Sequence, residues 1–306
     1  LDFVPTLDIV KPDVFVVNSD GGSDAKRQLC NERGIEYVVL ERDPHEGLEA
    51  RSSTELKKSK CQLPTRLDLA GTWIDQPYVS CFHPEPSFDV RERCGVSTST
   101  RNVIKRIWPY QLPNMDPETL ARLVFCFENH PEREDGIISG AQDAIGICVP
   151  GLCRHYYDNH FWPDRVETCE DETILVWLEE HLCMIPMDPR QPDCSVVEGK
   201  DITVDKVKAL AQAADDCWDA ILRMDLDGFA AAYRASFNAQ TSMFPAMIQG
   251  CVQSYIDEYS AMDDVLAWKM PGAGGGGYLA CVVKDATVFG SEHPEAILLK
   301  IRRSGM

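Results

Sequence analysis

Five of the six residues in Gly272-Ala273-Gly274-Gly275-Gly276-Gly277 are glycine, far above the roughly 7% of an average chain. Glycine enters left-handed backbone without steric penalty and lets a phosphate or another stretch of backbone come close. The segment lies between Leu266-Ala267-Trp268-Lys269-Met270 and Tyr278-Leu279-Ala280-Cys281-Val282-Val283, both of which read as strands. The same glycines would serve a flexible hairpin, but strands on either side favour an ordered loop inside a sheet.

The rest of the chain sets limits on what such a sheet belongs to. Its 306 residues are enough for two domains of roughly 100–200 residues each. With 44% hydrophobic and 26% charged residues, it is neither disordered nor fibrous. No apolar run approaches the roughly 18 residues of a membrane helix, so no membrane association is expected. The start, Leu1-Asp2-Phe3, shows no basic region followed by an apolar segment, hence no visible secretory signal. Lys and Arg number 30 against 49 Asp and Glu, for a net charge of −19. A surface of that sign repels phosphate backbones and excludes nucleic-acid binding through a basic face. It leaves room for a nucleotide held locally by backbone N–H groups, a few cations and Mg2+. The 13 cysteines are scattered with no Cys-x-x-Cys, which argues against a zinc ribbon or a thioredoxin-like pair. Cys148 and Cys153, in an apolar run, read as buried thiols, and a reducing cytoplasm is expected.

The first sixty residues read as strand, helix and strand. Asp13-Val14-Phe15-Val16-Val17 is a short apolar strand, 24–33 a helix stopped by Gly34, and Ile35-Glu36-Tyr37-Val38-Val39-Leu40 a second strand. Such a β-α-β unit implies parallel pairing, with any ligand at the carboxyl ends of the strands. One unit is small for a domain, and the chain lacks an initiator Met, so further N-terminal sequence is expected. The basic, polar stretch 57–60 marks a boundary, giving segments 1–58, 59–198 and 199–306, with the second boundary near Gly199. Helices are expected over 117–129, entered through Asp116 and Pro117, and over 170–182, 204–224, 226–243 and 247–262. In 204–224 one face carries Val204, Val207, Leu210, Ala211, Ala214, Trp218 and Ile221. A last strand is expected over 296–301. The acidic runs 132–135 and 170–172 read as solvated faces. The fold class is α+β.

Three further segments carry chemistry-bearing residues. In Arg66-Leu67-Asp68-Leu69-Ala70-Gly71-Thr72-Trp73-Ile74-Asp75, an alternating strand runs into a loop. An Arg and an Asp there suit phosphate neutralisation and hydroxyl binding, or else form a structural ion pair. In Ser139-Gly140-Ala141-Gln142-Asp143-Ala144-Ile145-Gly146, a carboxylate among apolar residues can become a base through partial burial; alternatively, Asp143 caps a helix starting near Ala144. Gly95-Val96-Ser97-Thr98-Ser99-Thr100-Arg101 precedes a helix-like stretch. Hydroxyls and bare N–H groups at a helix start form an anion site and can ligate Mg2+, and they also serve as ordinary caps.

The order of these motifs, Arg-x-Asp-Leu-Ala-Gly-x-x-x-Asp, Gly-x-Ser-x-Ser-Thr, Gly-x-Gln-Asp and Gly-Ala-Gly-Gly-Gly-Gly, resembles the GHMP kinase superfamily. Within it the chain looks most like the sugar kinases acting on fucose or heptose phosphate, and the likeness runs from about Leu63 to Val283. It implies a two-lobed α+β fold and ATP-dependent, Mg2+-dependent phosphorylation of a sugar or sugar phosphate. It further implies that Asp143 takes the proton of the sugar hydroxyl and that Arg66 stabilises charge on the transferring phosphoryl group. Asp75, with Asp68 and Gln142, would hold the sugar. Gly95, Ser97, Thr98, Ser99 and Thr100 would form the phosphate loop, Ser99 also binding Mg2+. Gly272, Gly274, Gly275 and Gly276 would let the second lobe close on the nucleotide. Phosphoryl transfer, which asks for positioning and charge stabilisation, suits these residues. Arg101, Lys105 and Lys269 are cations whose part in holding phosphate the sequence leaves open.

Two features depart from that pattern. Asp75 and Gly95 are 20 positions apart by their numbers, where the family has a longer stretch, and Arg91-Glu92-Arg93-Cys94 replaces the Pro-x-Gly-x-Gly-Leu-Gly lead-in. They motivate an alternative reading, a catalytically silent module that binds sugar or a partner. The first sixty residues carry a second resemblance. Arg51-Ser52-Ser53-Thr54-Glu55 after a β-α-β unit looks like the C-terminal half of cytidylyltransferase-like nucleotidyltransferases. That likeness implies that Arg51, Ser52, Ser53 and Thr54 grip nucleotide phosphates, and that a longer product makes a nucleotide sugar. Ser52-x-x-Glu55 is also a capping box in its own right. No His-x-Gly-His is present among the seven histidines, and His155 and His160 read as packing or surface residues.

Overall fold

A computed structural model describes residues 4, 7, 10–18, 22–40, 63–82, 86–92, 98–108, 112–130, 138–190, 195–248 and 250–304. Arg51, Ser52, Ser53, Thr54, Gly95 and Ser97 lie outside the described residues, as do the stretch 57–60 and the acidic run 132–135; of Thr98 only the backbone is described. The chain divides into two compact units, Leu1–Lys60 and Cys61–Met306.

In the first unit, β1 (Val14–Asn18), α1 (Asp24–Glu32) and β2 (Glu36–Leu40) follow in order. The two strands pair in parallel, Val14 opposite Glu36, as a β-α-β unit demands. Ser23 caps α1 by accepting from the Lys26 N–H, and Gly34, at φ +69°, turns the chain out of the helix. Cys30, Ile35 and Leu7 are buried together, and Phe15 and Tyr37 pack beside them.

The second unit begins with β3 (Thr65–Ala70), the single turn α2 (Pro77–Ser80), β4 (Pro86–Glu92), α3 (Thr98–Ile107), α4 (Pro117–Glu128) and α5 (Gln142–Cys148). It continues through β5 (Leu152–Tyr156), β6 (Arg165–Cys169), α6 (Glu172–His181), β7 (Leu182–Pro186), α7 (Val204–Leu222) and α8 (Leu226–Met243). A 3-10 turn (Pro245–Met247), α9 (Gly250–Ser260), β8 (Val265–Lys269), β9 (Tyr278–Val283), α10 (Ala286–Glu292) and β10 (Ile297–Leu298) complete it. The strands form two four-stranded antiparallel sheets, ordered β3-β4-β5-β6 and β10-β7-β9-β8.

The long helices α7 and α8 pack on each other. Helix α7 lies against β3 and β4, and α8 against β8, so the pair ties the two sheets together. Thr203 caps α7 by accepting from Lys206 N–H. Val207, Leu210, Ala211, Ala214, Trp218 and Ile221 of the expected face are buried, whereas Val204 in the first turn is exposed. Leu67 and Leu69 of β3 share a core with Ala214, Trp218, Phe229, Tyr233 and Val282. A third cluster sets α3, α4 and α5 against one another through Ile104, Leu120, Val124, Ile145 and Ile147; Cys148 and Cys153 are buried in it.

Several boundaries differ from the sequence reading for local reasons. Strand β7 follows α6 without a breaker, so the apolar periodicity runs through the junction. The segment 247–262 is split, because a 3-10 turn ends at Met247 and α9 starts afresh at Gly250. The last strand shrinks to Ile297 and Leu298, opposite Met184 and Cys183. Residues 299–304 follow α6 instead: Arg303 reaches Glu172 with Nε at 2.9 Å and also pairs with the half-buried Glu179, while Arg302 O accepts from Gly151 N–H. Among the described residues no helix is long and apolar enough to cross a membrane.

Candidate active site

Strand β3 places Arg66 and Asp68 two residues apart, on one face of the pleat. Both are buried, at 4% and 0% exposure. Gly71, at φ +77°, turns the chain into the loop that carries Asp75. Helix α5 delivers the partner. Ala141 occupies its N-cap and has no side chain that could cap, and Gln142 and Asp143 stand in its first turn. Asp143 is therefore not the cap; its carboxylate pairs with the Arg66 guanidinium. Two glycines allow this approach. A Cβ at Gly146 would lie 2.5 Å from Arg66 Cγ, and one at Gly140 would overlap the Asp75 carboxylate.

Ser99 and Thr100, at the start of α3, face the end of α4. Ser99 Oγ donates to Glu128 Oε1 at 2.9 Å and Thr100 Oγ1 to Glu128 Oε2 at 2.8 Å; Thr100 Oγ1 also lies 3.5 Å from Asp143 Oδ2. Burial pushes the Glu128 carboxyl above its ordinary value, the Thr100 bond opposes this, and the Asp143 charge adds to it. Glu128 is a site residue that the sequence reading missed, since a Glu ending an amphipathic helix looks like any solvated one. Two hydroxyls and a carboxylate are hard oxygen donors. Mg2+ is commonly held by one or two carboxylates together with substrate phosphates, so the residues present fit it. Among the described residues no group of three or more His, Cys, Asp and Glu could hold a metal by itself.

Asp75 is nearly buried, at 9% exposure, and its carboxyl is pushed up to about 7. Burial is the main cause and Arg66 opposes it; Asp143 and Asp68 raise it further, and the Gln142 N–H donates to it. A carboxyl that ionises near pH 7 folded and near 4 unfolded keeps a proton in the native state across that window. The stability this contributes is complete at low pH and falls as pH rises from about 4 to about 7. Asp75→Asn removes the dependence, so its stability relative to the wild type should rise by a few kcal/mol between pH 4 and pH 8. Urea midpoints at both pH values test this, and a constant difference would contradict it.

Asp68, expected to help hold the sugar, is fully buried and paired within the protein. Its Oδ2 accepts from Lys269 Nζ, from Thr72 Oγ1 and, at 3.2 Å, from Gly272 N–H, and its Oδ1 lies 3.5 Å from Gln142 Nε2. Burial alone would raise its carboxyl; Lys269 and Arg66 outweigh this and hold it below its ordinary value. Lys269 is fully buried in this pair and is not presented to a phosphate. His155 is buried too and pushed down to about 3, by burial first and Arg66 second, so it is a neutral packing residue; His160 is 70% exposed.

The glycine segment is an ordered loop. Gly272, Gly274, Gly275, Gly276 and Gly277 all have positive φ, from +70° to +139°, which side chains resist. Gln240 Nε2 donates to Gly272 O at 3.0 Å. The Gly275 and Gly277 amides donate to Met247 O and Asp188 O. A cavity of about 690 Å³ lies between α4 and the β5–β6 connection, lined by Arg122, Phe125, Asn129, His160, Trp162 and Asp164 among others. It includes neither Arg66 nor Asp143. The two regions adjoin, since Ala141 N–H donates to Phe161 O and Asn129 Oδ1 accepts from Ser139 N–H.

No family model and no curated protein sequence matches the chain. Solved structures do. A mevalonate kinase aligns with TM-score 0.53 and 9% identity over 79% of this chain and 98% of that one. A D-glycero-D-manno-heptose 1-phosphate kinase from Bacteriodes thetaiotaomicron aligns at 0.52 and 12%, over 79% and 95%. Lactococcus lactis galactokinase complexed with galactose aligns at 0.53 and 12%, over 78% and 92%. These neighbours are GHMP-type kinases, and the chain has their α+β fold. At such identities the likeness is one of fold.

Proposed function

We propose that this chain is an ATP- and Mg2+-dependent kinase of a sugar or sugar phosphate. The observation that carries the reading is the convergence of the Arg66–Asp143 pair with the Ser99–Thr100–Glu128 cluster, bridged by Thr100. On this reading Asp143 accepts the proton of the acceptor hydroxyl. The hydroxyl oxygen attacks the γ-phosphorus, the bond to the ADP oxygen breaks, and Arg66 offsets the charge on the transferring group. Ser99 and Glu128 would hold Mg2+, with Thr100 beside them. When bound, the ion supplies charge neutralisation at the β- and γ-phosphates. Asp75 and Gln142 would orient the acceptor, and Gly272, Gly274, Gly275 and Gly276 would set the wall facing the nucleotide. The lobes would divide ahead of β7, since β7 belongs to the sheet of β8, β9 and β10, and not near Gly199. A reducing cytoplasm suits the many thiols.

The first unit keeps a narrower proposal, a nucleotidyltransferase-like segment, resting on its parallel β-α-β pairing and on the Arg51-to-Thr54 run. Thermal shift with Mg·ATP against Mg·CTP tests both readings. Ligand at about 100 times its dissociation constant adds about 2.7 kcal/mol of stability. A shift selective for Mg·ATP is expected. A shift selective for Mg·CTP would move the nucleotide site to the first unit, and no shift with either would leave a silent module.

A further inference from the structure

We propose that Asp68 is a positioning residue, whose buried side-chain oxygen, paired with Lys269, anchors the glycine-rich loop to the strand that carries Arg66. This deepens the kinase reading and rests on it.

The two side chains are completely buried, and together they join four segments. Asp68 stands on β3, two residues from Arg66, and accepts from Thr72 of the loop leading to Asp75. It also faces Gln142, the neighbour of Asp143, and accepts from the Gly272 amide at the entry to the glycine loop. Lys269, the last residue of β8, donates to Asp68 and, at 2.8 Å, to Thr72 Oγ1. Helix α8 supports the same two turns from behind: Ser236 Oγ accepts from Gly71 N–H, and Gln240 donates to Gly272 O.

A dry ion pair of this kind is a poor source of stability. Its desolvation offsets most of its attraction, and replacing both members by apolar groups of similar volume is often neutral or stabilising. What an apolar pair cannot do is accept the Gly272 N–H. With four positive-φ glycines at 274–277, the loop has wide conformational freedom and needs a fixed point at its start. Asp68 supplies that point, and Lys269 keeps Asp68 charged and aimed.

Two double variants separate anchoring from mere stability. Asp68→Asn with Lys269→Met removes both charges yet keeps a carbonyl oxygen for Thr72 and Gly272, and the Gln142 amide can flip to meet the new NH2. Asp68→Leu with Lys269→Met keeps the volume and loses the acceptor. Hydrogen exchange at the Gly272 amide, measured without nucleotide, should be about ten- to a hundredfold faster in the Leu double than in the wild type, and near wild type in the Asn double. Calorimetric titration with Mg·ATP should show affinity weakened by a similar factor in the Leu double only, with thermal midpoints alike in the two doubles. Equal exchange and equal affinity in both doubles would overturn the proposal. If the Leu double does not fold, the wild type still decides: the Gly272 amide must be protected like those of β3, and exchange at open-loop rates refutes the anchor. Wild-type protein that protects Gly272 but fails to bind Mg·ATP would refute the kinase reading and leave the anchor standing as a structural contact.

Discussion

Asp143→Asn should lower phosphoryl transfer at least about a thousandfold, the upper range of what a positioned general base contributes, while Mg·ATP binding stays nearly unchanged. The asymmetry follows from where Asp143 sits. Its carboxylate is 28% exposed and paired with Arg66, whose side chain is only 5% exposed, whereas the Ser99–Glu128 pair proposed for the ion is formed without it. Asparagine keeps an oxygen toward the guanidinium, so the buried cation retains an acceptor and folding survives. Asp143→Ala would take a carboxylate from that buried cation and cost up to about 3 kcal/mol, which is why Asn is the informative change. ADP release over a panel of sugars and sugar phosphates, alongside calorimetric Mg·ATP titration, gives both readouts. Turnover in Asp143→Asn within about tenfold of wild type would remove Asp143 from the role of base, since a tenfold effect is smaller than loss of a base produces.

Much of this arrangement is legible in the linear chain, and what is not has physical causes. Helices α7 and α8 announce themselves through caps at Thr203 and Asp225 and a sustained apolar stripe. Strands β8 and β9 are framed by the glycine segment. Strand β6, Arg165-Val166-Glu167-Thr168-Cys169, has neither length nor a clean apolar face, with no residue of it fully buried, so it becomes a strand only by pairing with β5. At the site, the chain order of Arg66, Asp75, Asp143 and Gly272 points to one constellation before any coordinates. What sequence order cannot show is which carboxylate turns inward. Asp68 lies on β3 and Asp75 follows it closely, yet Asp68 meets Lys269 from 201 positions away, a buried pairing that sequence order does not announce. Glu128 is hidden for the converse reason: its role depends on hydroxyls 28 and 29 positions before it.

Gly140, just before α5, and Gly146 within it carry the other large expected effect. Gly140→Ala should lose about 3 kcal/mol, at the upper end of overpacking, because its Cβ would overlap the Asp75 carboxylate. Asp75 cannot step aside cheaply, being nearly buried and bonded to the Gln142 N–H. Gly146→Ala is a sharper test of the same geometry. In a helix interior alanine is favoured over glycine by about 1 kcal/mol, so local propensity predicts stabilisation. The Cβ would, however, sit 2.5 Å from Arg66 Cγ and 2.8 Å from its Cδ, forcing the guanidinium off Asp143. Gly250→Ala is the control: at the start of α9, with nothing within 4 Å of its Cβ, it should be neutral or gain up to about 1 kcal/mol. Denaturant midpoints for the three variants, with turnover measured on each, should therefore rank Gly250→Ala above wild type or level with it, Gly146→Ala below, and Gly140→Ala lowest, with activity lost in the last two. Equal stability of Gly140→Ala and Gly250→Ala would mean that Asp75 does not press on the turn entering α5, and equal stability of Gly146→Ala and Gly250→Ala that Arg66 does not press on the helix.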